Sequence, residues 1–409
     1  MKRSFLLLCM LSLVGFAFAQ HSKGEPQIPV YPALENEGSF SMSMVPDPQS
    51  YTKFVANQPL FDLQTAWVAQ NIERLNIKAA LFTGDMVEQN NRLNTKLLVN
   101  KNNGDQTSRQ QWEAVSRGLG RLDGLLPYIV CQGNHDLGYF GAEYRYSMMP
   151  DYIYPERNRE FEKVLVATGP NYQGIHTLEN AAYEFNEKTW GDMLVITLEF
   201  APRDEALDWA RGLIESERFM NHRVIVLVHS FLATNGNRIV KEGYKVSPCN
   251  WPQAVWEKLV YPSKNICMVL CGHTGTPPKI DGVDEVDFRC TSSYRTDKAA
   301  DGRNVVQMMF NSQNGDGDWN GNGGDCWLRI LEFKPDGKTI GVRTFSPLFA
   351  LSKLTKHLAC RTDDYDQFDI VLKLLLRELW KENLLKHYVL TIRTHWRKSV
   401  RWLISCMKM

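Results

Sequence analysis

The sequence has few cysteines, a net charge close to zero and no long apolar run between residues 20 and 369. Nine cysteines spread over 409 residues exclude a small disulfide-stabilised scaffold. The chain has no P-loop and no G-x-G-x-x-G motif, so nothing indicates a nucleotide-binding loop of either kind. With 44% hydrophobic and 23% charged residues, the composition is that of a globular protein and excludes a disordered or multispan membrane protein.

The two ends of the chain differ in character from its middle. Lys2 and Arg3 precede an apolar run that ends at Ala17-Phe18-Ala19, which is the pattern of a signal peptide with its cleavage site. We therefore divide the chain into a signal peptide (1–19), a main domain (20–350) and a C-terminal extension with helical periodicity (351–409). We expect an exported protein, either periplasmic or secreted.

The net charge of the chain is close to zero because a basic tail offsets an acidic main domain. Residues 370–409 hold nine Lys or Arg and two Glu, whereas the chain without this tail and without Lys2 and Arg3 has a net charge of −8. An acidic domain does not indicate nucleic acid as an obligate partner. Three interpretations of the tail stay open: a helix that packs on the domain, a basic amphipathic helix on an anionic membrane surface, or an appended segment without a function of its own.

A repeated pattern governs residues 40–275, in which a short apolar run is followed by a polar loop. Runs of about five apolar residues are typical of strands that are buried on both faces. The predicted strands are Phe40 to Val45, Ala79 to Thr83, Pro127 to Cys131, Val224 to Val228 and Ile266 to Cys271. Helical periodicity lies between them, so the sequence predicts a layered α/β domain. The polar loops then meet at one edge, because ligands in such sheets bind beyond the carboxyl ends of the strands.

Two segments between these strands are predicted to be insertions. Residues 88–110 are predicted to form a loop near the site. Residues 139–190 are rich in Tyr, Arg and Asn. They are interpreted either as a solvated loop region held by aromatic residues or as a substrate-facing wall with arginines for phosphate.

From about residue 283 to residue 345 the pattern changes to β-hairpins, with a turn predicted at Asp336-Gly337. The stretch 314–325 is rich in Gly, Asn and Asp and resembles the opening of a calcium-binding loop. Its twelfth position, counted from Asp316, is Trp327 instead of Glu. A calcium site and a plain hairpin turn both stay open for this stretch.

The polar loops carry a set of oxygen and nitrogen donors. Carboxylates, amides and imidazoles with few thiolates suit divalent ions such as Mn, Fe, Zn or Ni. Gly84, Gly133 and Gly272 precede three of these donors and allow the backbones to approach closely. The candidate metal ligands are Asp47, Gln49, Asp85, Asn134, His229 and His273.

In this order the motifs Asp-x-Gln, Gly-Asp-x-x-Glu, Gly-Asn-His-Asp, His and Gly-His resemble those of the calcineurin-like metallophosphoesterase superfamily, over roughly residues 40–275. The resemblance implies a four-layer α/β/β/α sandwich with two metal ions at one edge. It implies that Asp85 bridges the two ions, that Asp47 binds the first, and that Asn134, His229 and His273 complete the second. It also implies that His135 faces the substrate and is held by Asp136.

Two positions depart from the superfamily pattern. Gln49 stands where the family usually has His in the first motif, and Gly275 stands where it usually has the second His of the last motif. Both missing imidazoles belong to the first metal. We therefore expect two unequal ions, with the first bound more weakly.

The expected reaction is hydrolysis of a phosphodiester or phosphomonoester by a metal-bound hydroxide, with a small phosphoester as substrate. His135 would donate a proton to the leaving oxygen or stabilise charge on the phosphoryl group. The alternative is a catalytically silent protein that binds phosphate or glycan on the same scaffold, which the two departures favour. The pair His135-Asp136 favours activity, because a pure binder does not need an oriented proton donor.

Overall fold

The computed structural model describes residues 31–92, 104–275, 291–313 and 323–372. The predicted signal peptide, the calcium-loop stretch up to residue 322 and the basic tail beyond residue 372 lie outside these residues. None of the helices within the described ranges combines the length and the hydropathy that a membrane crossing requires.

Two seven-stranded sheets form the centre of the fold. The strands are β1 (Phe40–Val45), β2 (Ile77–Phe82), β3 (Tyr128–Val130), β4 (Leu165–Pro170), β5 (His176–Glu187), β6 (Gly191–Thr197), β7 (Arg223–Leu227), β8 (Ile266–Cys271), β9 (Thr291–Lys298), β10 (Asn304–Asn311), β11 (Leu328–Phe333), β12 (Thr339–Phe345), β13 (Cys360–Arg361) and β14 (Gln367–Val371). The first sheet has the order β13-β12-β11-β1-β2-β3, with β14 also paired to β12, and the second has the order β4-β5-β6-β7-β8-β10-β9.

The helices are mostly short. They are α1 (Gln49–Thr52), α2 (Gln58–Gln70), α3 (Ser108–Leu119), α4 (Met149–Tyr152), α5 (Asp204–Glu215), α6 (Pro252–Val255) and α7 (Pro347–Leu351). Single 3₁₀ turns span Pro155–Arg157, Arg159–Lys163 and Lys356–Leu358, and a π-helical turn spans Trp256–Val260. Helix α3 begins with a capping box, in which Thr107 and Gln110 satisfy each other's backbone N–H groups.

The buried residues form two main clusters that correspond to four layers. One cluster joins the facing sides of both sheets and the apolar faces of α2 and α3. The other covers the far side of the second sheet with α5 and the turn around Trp256. The order is helix, sheet, sheet, helix, which confirms the predicted α/β/β/α sandwich.

All five strands that were predicted to precede polar loops are present. Strands β1, β2 and β3 are parallel neighbours in the first sheet, and β7 and β8 are parallel neighbours in the second. Both groups therefore present the carboxyl ends of their strands side by side. Helices α2, α3 and α5 lie between these strands, where the sequence shows helical periodicity.

The prediction of an irregular insertion over residues 139–190 is wrong for its second half. Residues 165–187 form β4 and β5, which pair with each other, and β5 also pairs with β6. The sequence hid β5 because polar residues such as Glu179 and Asn180 are buried in it and are hydrogen-bonded there. A buried polar pair interrupts the apolar run by which buried strands are recognised.

The first sheet continues beyond residue 350, where the main domain was predicted to end. That residue lies inside α7, and β14 pairs with β12 over five residues. The buried guanidinium of Arg329 also donates to the carbonyl of Tyr365 at 2.6 Å. Strands β13 and β14 therefore extend the first sheet past residue 350.

Candidate metal centre

Every polar loop that the sequence singled out reaches the same edge of the fold. The side chains of Asp47, Asp85 and Asn134 follow β1, β2 and β3, and those of His229 and His273 follow β7 and β8. The first three come from one sheet and the two histidines from the other. The centre therefore lies across the junction of the two sheets, where all five side chains are mostly or fully buried.

Glycines allow these loops to approach one another closely. A Cβ atom on Gly84 would lie 2.8 Å from His229 Nδ1, and one on Gly133 would overlap the backbone and carboxylate of Asp85. A Cβ atom on Gly272 would overlap Asp47 Oδ1. The expected role of these three glycines is thus visible in the structure, since no larger residue fits at any of them.

Four donor atoms converge on one point. His229 Nε2 lies 3.0 Å from Asn134 Oδ1, 3.1 Å from Asp85 Oδ2 and 3.1 Å from His273 Nδ1. Ligands of one ion, each about 2.1 Å from it, lie about 3–3.5 Å apart. The spacing therefore suits a shared cation, and Asp85, His229 and His273 form a group whose ligand atoms all lie within 4.8 Å of one another.

The second nitrogen of each histidine ring is already engaged. His229 Nδ1 donates to the carbonyl oxygen of Thr83 at 2.6 Å. His273 Nε2 donates to Glu242 Oε2 at 2.7 Å. These contacts fix both rings so that His229 Nε2 and His273 Nδ1 face the convergence point, as is usual for histidines that bind metals.

Glu242 was not identified from the sequence. It lies 31 residues before His273 in a segment without regular structure, and no motif marks it. Its other oxygen accepts a hydrogen bond from Ser230 Oγ at 2.6 Å. Its position is visible only in three dimensions.

The charges at the centre are strongly coupled. Burial raises the pKa of the Asp85 carboxyl, but the neighbouring imidazoles of His229 and His135 outweigh this and hold that pKa well below its usual range. Burial lowers the pKa of His229, but Asp85 and Asp47 outweigh it and raise that pKa to about 10. Without a metal, the negative charge of the carboxylates is thus balanced by a proton on the histidine.

The part of the centre that contains Asp47 and Gln49, the expected ligands of the first metal, is built differently. Asp47 Oδ1 accepts from Thr83 Oγ1 at 2.7 Å, and Asp47 Oδ2 accepts from the His273 backbone N–H at 2.7 Å and from Asn311 Nδ2 at 2.6 Å. Gln49 is 1% exposed, and its Oε1 atom has no hydrogen-bond partner in the described part of the chain. A buried amide oxygen without a donor is costly unless something else satisfies it.

Amide side chains occupy the space beside Gly275, where the family pattern has its second histidine. A Cβ atom on Gly275 would lie 3.3 Å from Gln313 Oε1 and 3.8 Å from Asn311 Nδ2. Both residues are buried, at 2% and 0% exposure. They follow the apolar run of β10, which is parallel to β8, so the strand-then-polar-loop pattern could have identified them too.

The donors present fit divalent ions. Asp85, Asn134 and the two histidines offer one complete oxygen and nitrogen set, and the unpartnered Gln49 Oε1 adds an available oxygen close in the chain to Asp47. The expected first site has an amide oxygen, from Gln49, where the second has two imidazoles, from His229 and His273. The two sites therefore differ in the strength of their donors.

His135 lies beside the carboxylate of Asp85. Its backbone N–H donates to Asp85 Oδ1 at 2.9 Å. Its ring Nδ1 lies 2.7 Å from the carbonyl oxygen of Glu88 and 3.0 Å from that of Phe140. Because carbonyl oxygens only accept, Nδ1 carries a proton and Nε2 remains for other partners.

The expectation that Asp136 holds the His135 ring is wrong. The carboxylate of Asp136 instead accepts the backbone N–H groups of Gly133 at 2.8 Å and Val87 at 3.2 Å. Burial and the charge of Asp85 raise the pKa of Asp136 to about 7. Asp136 therefore ties the Gly-Asn-His loop to the Gly-Asp loop.

Arginines of the 139–190 region serve the fold. Arg145 forms a buried ion pair with Glu199, and Arg157 donates to Tyr128 Oη and Ser116 Oγ. The expected phosphate-binding role is not supported for these two. Exposed tyrosines remain in this region, namely Tyr139, Tyr144, Tyr146, Tyr154 and Tyr172.

Aromatic rings line one side of the centre. The Phe200 ring lies 5.9 Å from that of His229 and 5.5 Å from that of Tyr244, measured between centroids. Tyr244 lies 6.1 Å from His273, and it approaches Gly141, as does His135. Tyr244 thus borders His273 on one side and, on the other, Gly141, which His135 also approaches.

Comparison with known proteins finds similarities that include one protein sequence and two solved structures. The chain is 26% identical over 289 residues to the uncharacterized protein YvnB of Bacillus subtilis (strain 168), and the match covers 70% of this chain but 18% of that one. A dimetal phosphatase from Danio rerio shares 9% identity at a TM-score of 0.43, covering 82% of this chain and 100% of that one. The protein TT1561 of Thermus thermophilus shares 11% identity at a TM-score of 0.35, covering 76% and 99%.

The family model described as calcineurin-like phosphoesterase matches residues 57–277, which is more than half of the 409-residue chain. The match contains Asp85, Asn134, His229 and His273, whereas Asp47 and Gln49 precede it. The chain belongs to the calcineurin-like phosphoesterase family.

Proposed function

We propose that the chain is an exported, metal-dependent phosphoesterase that hydrolyses a small phosphodiester or phosphomonoester. The observation that carries the proposal is the convergence of His273 Nδ1, Asp85 Oδ2 and Asn134 Oδ1 on His229 Nε2, from which each lies 3.0–3.1 Å away. Family membership supports the reaction class.

The residues would divide between two divalent ions. Asp85, Asn134, His229 and His273 would hold one ion, and Asp47, Gln49 and Asp85 would hold the other. When bound, the ions supply positive charge for the phosphoryl oxygens and lower the pKa of a water molecule from about 15.7 towards 7. The acidic domain needs this local positive charge, because its own net charge repels an anionic substrate.

His135 is proposed to supply the proton for the leaving oxygen. Burial lowers the pKa of the His135 imidazole, but the charges of Asp85 and Glu88 outweigh it and raise that pKa above its usual value. The carbonyls of Glu88 and Phe140 bind Nδ1–H, so the ring orientation is fixed and Nε2 carries the transferable proton. A raised pKa favours the protonated form of the ring, which is the form that a proton donor needs.

Tyr244 and Phe200 are proposed to border the substrate. Burial raises the pKa of the Tyr244 hydroxyl, so it stays neutral and can donate to a phosphoryl oxygen. The loop opposite Tyr244 is held by Glu143, whose carboxylate accepts the N–H groups of Tyr139, Phe140 and Gly141. Fixed groups of this kind at the border of the centre would favour a small substrate over a protein.

A substrate pair tests the proposal. Bis-p-nitrophenyl phosphate and p-nitrophenyl phosphate are given to the Mn²⁺-reconstituted chain, and release of nitrophenolate is followed with and without a chelator. The proposal predicts chelator-sensitive hydrolysis of at least one of the two. If metal and inorganic phosphate bind but neither ester is hydrolysed, the silent phosphate-binding alternative is supported instead.

Export and membrane contact are proposed on the sequence alone. The Lys2-Arg3 segment with its cleavage site supports export, and N-terminal sequencing of the mature protein should begin at Gln20. Binding of the basic tail to anionic vesicles is tested by comparing the full chain with one that ends at Leu372, since β14 must be kept. Equal binding of both chains would contradict a membrane role for the tail.

A further inference from the structure

We infer that Glu242 is a positioning residue that fixes His273 as a metal ligand through its Nδ1 atom. The inference rests on the metal centre of the proposed function and adds a residue that no family motif includes. Glu242 would not touch the substrate or the ion. It acts through the ring of His273.

The contact geometry allows one assignment of the ring. Glu242 Oε2 lies 2.7 Å from His273 Nε2, and the other ring nitrogen, Nδ1, lies 3.1 Å from His229 Nε2. A carboxylate binds the ring N–H, so the lone pair of His273 is on Nδ1. A carboxylate partner also makes the imidazole a stronger donor, which is a general feature of metal-bound histidines.

Glu242 is itself held in place. Ser230 Oγ donates to Glu242 Oε1 at 2.6 Å, and the carboxylate side chain is 8% exposed. Ser230 directly follows the ligand His229. The Ser230–Glu242–His273 chain of hydrogen bonds therefore connects the loops that carry the two histidine ligands.

His273 needs such an anchor because its backbone is strained. Its φ angle is +71°, in a region that residues other than glycine rarely adopt. The backbone N–H of His273 donates to Asp47 Oδ2 at 2.7 Å, and its ring donates to Glu242. Contacts at both ends of the residue therefore hold this strained conformation in place.

Packing alone does not explain a carboxylate at this position. The neighbouring cluster consists of apolar and aromatic residues, among them Phe200, Val246 and the partly buried Tyr244 and Trp251. A neutral residue would fill this space at lower cost, because a buried charge needs a partner. The ring of His273 is that partner.

The test compares metal affinities of four variants with the parent chain. Glu242→Ala removes the acceptor, Glu242→Gln keeps an acceptor without charge, and Ser230→Ala removes the support for Glu242. Glu184→Gln is the matched control, because Glu184 forms a similar pair with His222 Nε2 at 2.8 Å away from the centre. Dissociation constants are measured by chelator competition, and the Co²⁺-loaded proteins are compared by visible absorption.

We expect Glu242→Ala to weaken the tighter ion by about 10–100-fold, the usual cost of losing a partner of a ligating histidine. Glu242→Gln should lose less metal affinity than Glu242→Ala, and Ser230→Ala should lose the least of the three. The change in the Co²⁺ absorption spectrum should follow the same order and be largest for Glu242→Ala. Glu184→Gln should match the parent chain in both measurements.

A folded Glu242→Ala or Glu242→Gln variant with the parent affinity and the parent Co²⁺ spectrum would overturn the inference. Circular dichroism of the metal-free proteins identifies variants that fail to fold, and Glu242→Gln is the variant expected to retain the fold. Failure of the proposed function is a separate result, since it appears as a parent chain that binds metal without hydrolysing a phosphoester.

Discussion

His229 Nε2 and His273 Nδ1 lie 3.1 Å apart, while the other nitrogen of each ring donates to Thr83 or Glu242. Two neutral rings in this arrangement direct lone pairs at each other, which is unfavourable. A proton or a metal ion between the two nitrogens removes the repulsion. Without metal, Asp85 and Asp47 raise the pKa of His229 to about 10, so a proton on this ring would remove the repulsion.

Metal binding should therefore release a proton. Below pH 10 the metal-free His229 is protonated and the ion needs the neutral ring, so affinity should rise with pH and reach its full value only above the pKa of about 10. Calorimetric titration with Mn²⁺ at pH 7.5, in buffers of different ionisation enthalpy, gives the number of protons released. We expect about one per tight ion. Heats that do not depend on the buffer would contradict this prediction.

His135→Ala should lower the turnover of bis-p-nitrophenyl phosphate by about 10²-fold or more, because it removes the proposed proton donor. The number of bound ions should stay the same, since the ring Nδ1 contacts carbonyl oxygens and not the convergence point. His176→Ala, which alters an exposed histidine, is the control. A His135→Ala enzyme with the parent rate would exclude His135 from the reaction.

Asp136→Asn should affect turnover less than His135→Ala, because Asp136 accepts the N–H groups of Gly133 and Val87 and does not hold the ring. In the variant, the NH₂ group of the asparagine would face the backbone N–H of either Gly133 or Val87, so two hydrogen-bond donors would oppose each other. We expect the free energy of unfolding to fall by about 1–3 kcal/mol. Urea denaturation measures this loss, and steady-state kinetics measures turnover. If Asp136→Asn and His135→Ala lowered turnover equally, the sequence prediction that Asp136 holds the His135 ring would be supported.

The sequence was sufficient to predict the fold class and the loops of the centre, and it failed where function depends on contacts between distant residues. Short apolar runs before Asp47, Asp85, Asn134, His229 and His273 predicted both the strands and the edge at which they meet. Only the folded chain places Glu242 against His273 or turns Asp136 away from His135, because neither contact leaves a periodic signal. Strand β5 was missed since its buried polar residues are satisfied by partners that the sequence does not reveal.

Gln49→His should increase the affinity for the more weakly bound of the two ions. An imidazole is a better ligand than an amide oxygen for Mn, Fe, Zn or Ni, and the change in affinity should be on the order of tenfold. Equilibrium dialysis with elemental analysis gives both occupancies. Gln70→His, at the exposed end of α2, is the control. Two equally tight ions in the parent chain would contradict the predicted asymmetry.

Metal-dependent hydrolysis by the parent chain and by Asp85→Asn tests the central claim most directly. Asp85 contacts both His229 and the backbone of His135, and in the proposed centre it belongs to both ions. The measurement is the rate of bis-p-nitrophenyl phosphate and p-nitrophenyl phosphate hydrolysis at saturating Mn²⁺. We predict chelator-sensitive hydrolysis by the parent chain and a loss of about 10²-fold or more in a folded Asp85→Asn variant. A parent chain without activity at full metal occupancy, or an Asp85→Asn variant with the parent rate, would contradict the account.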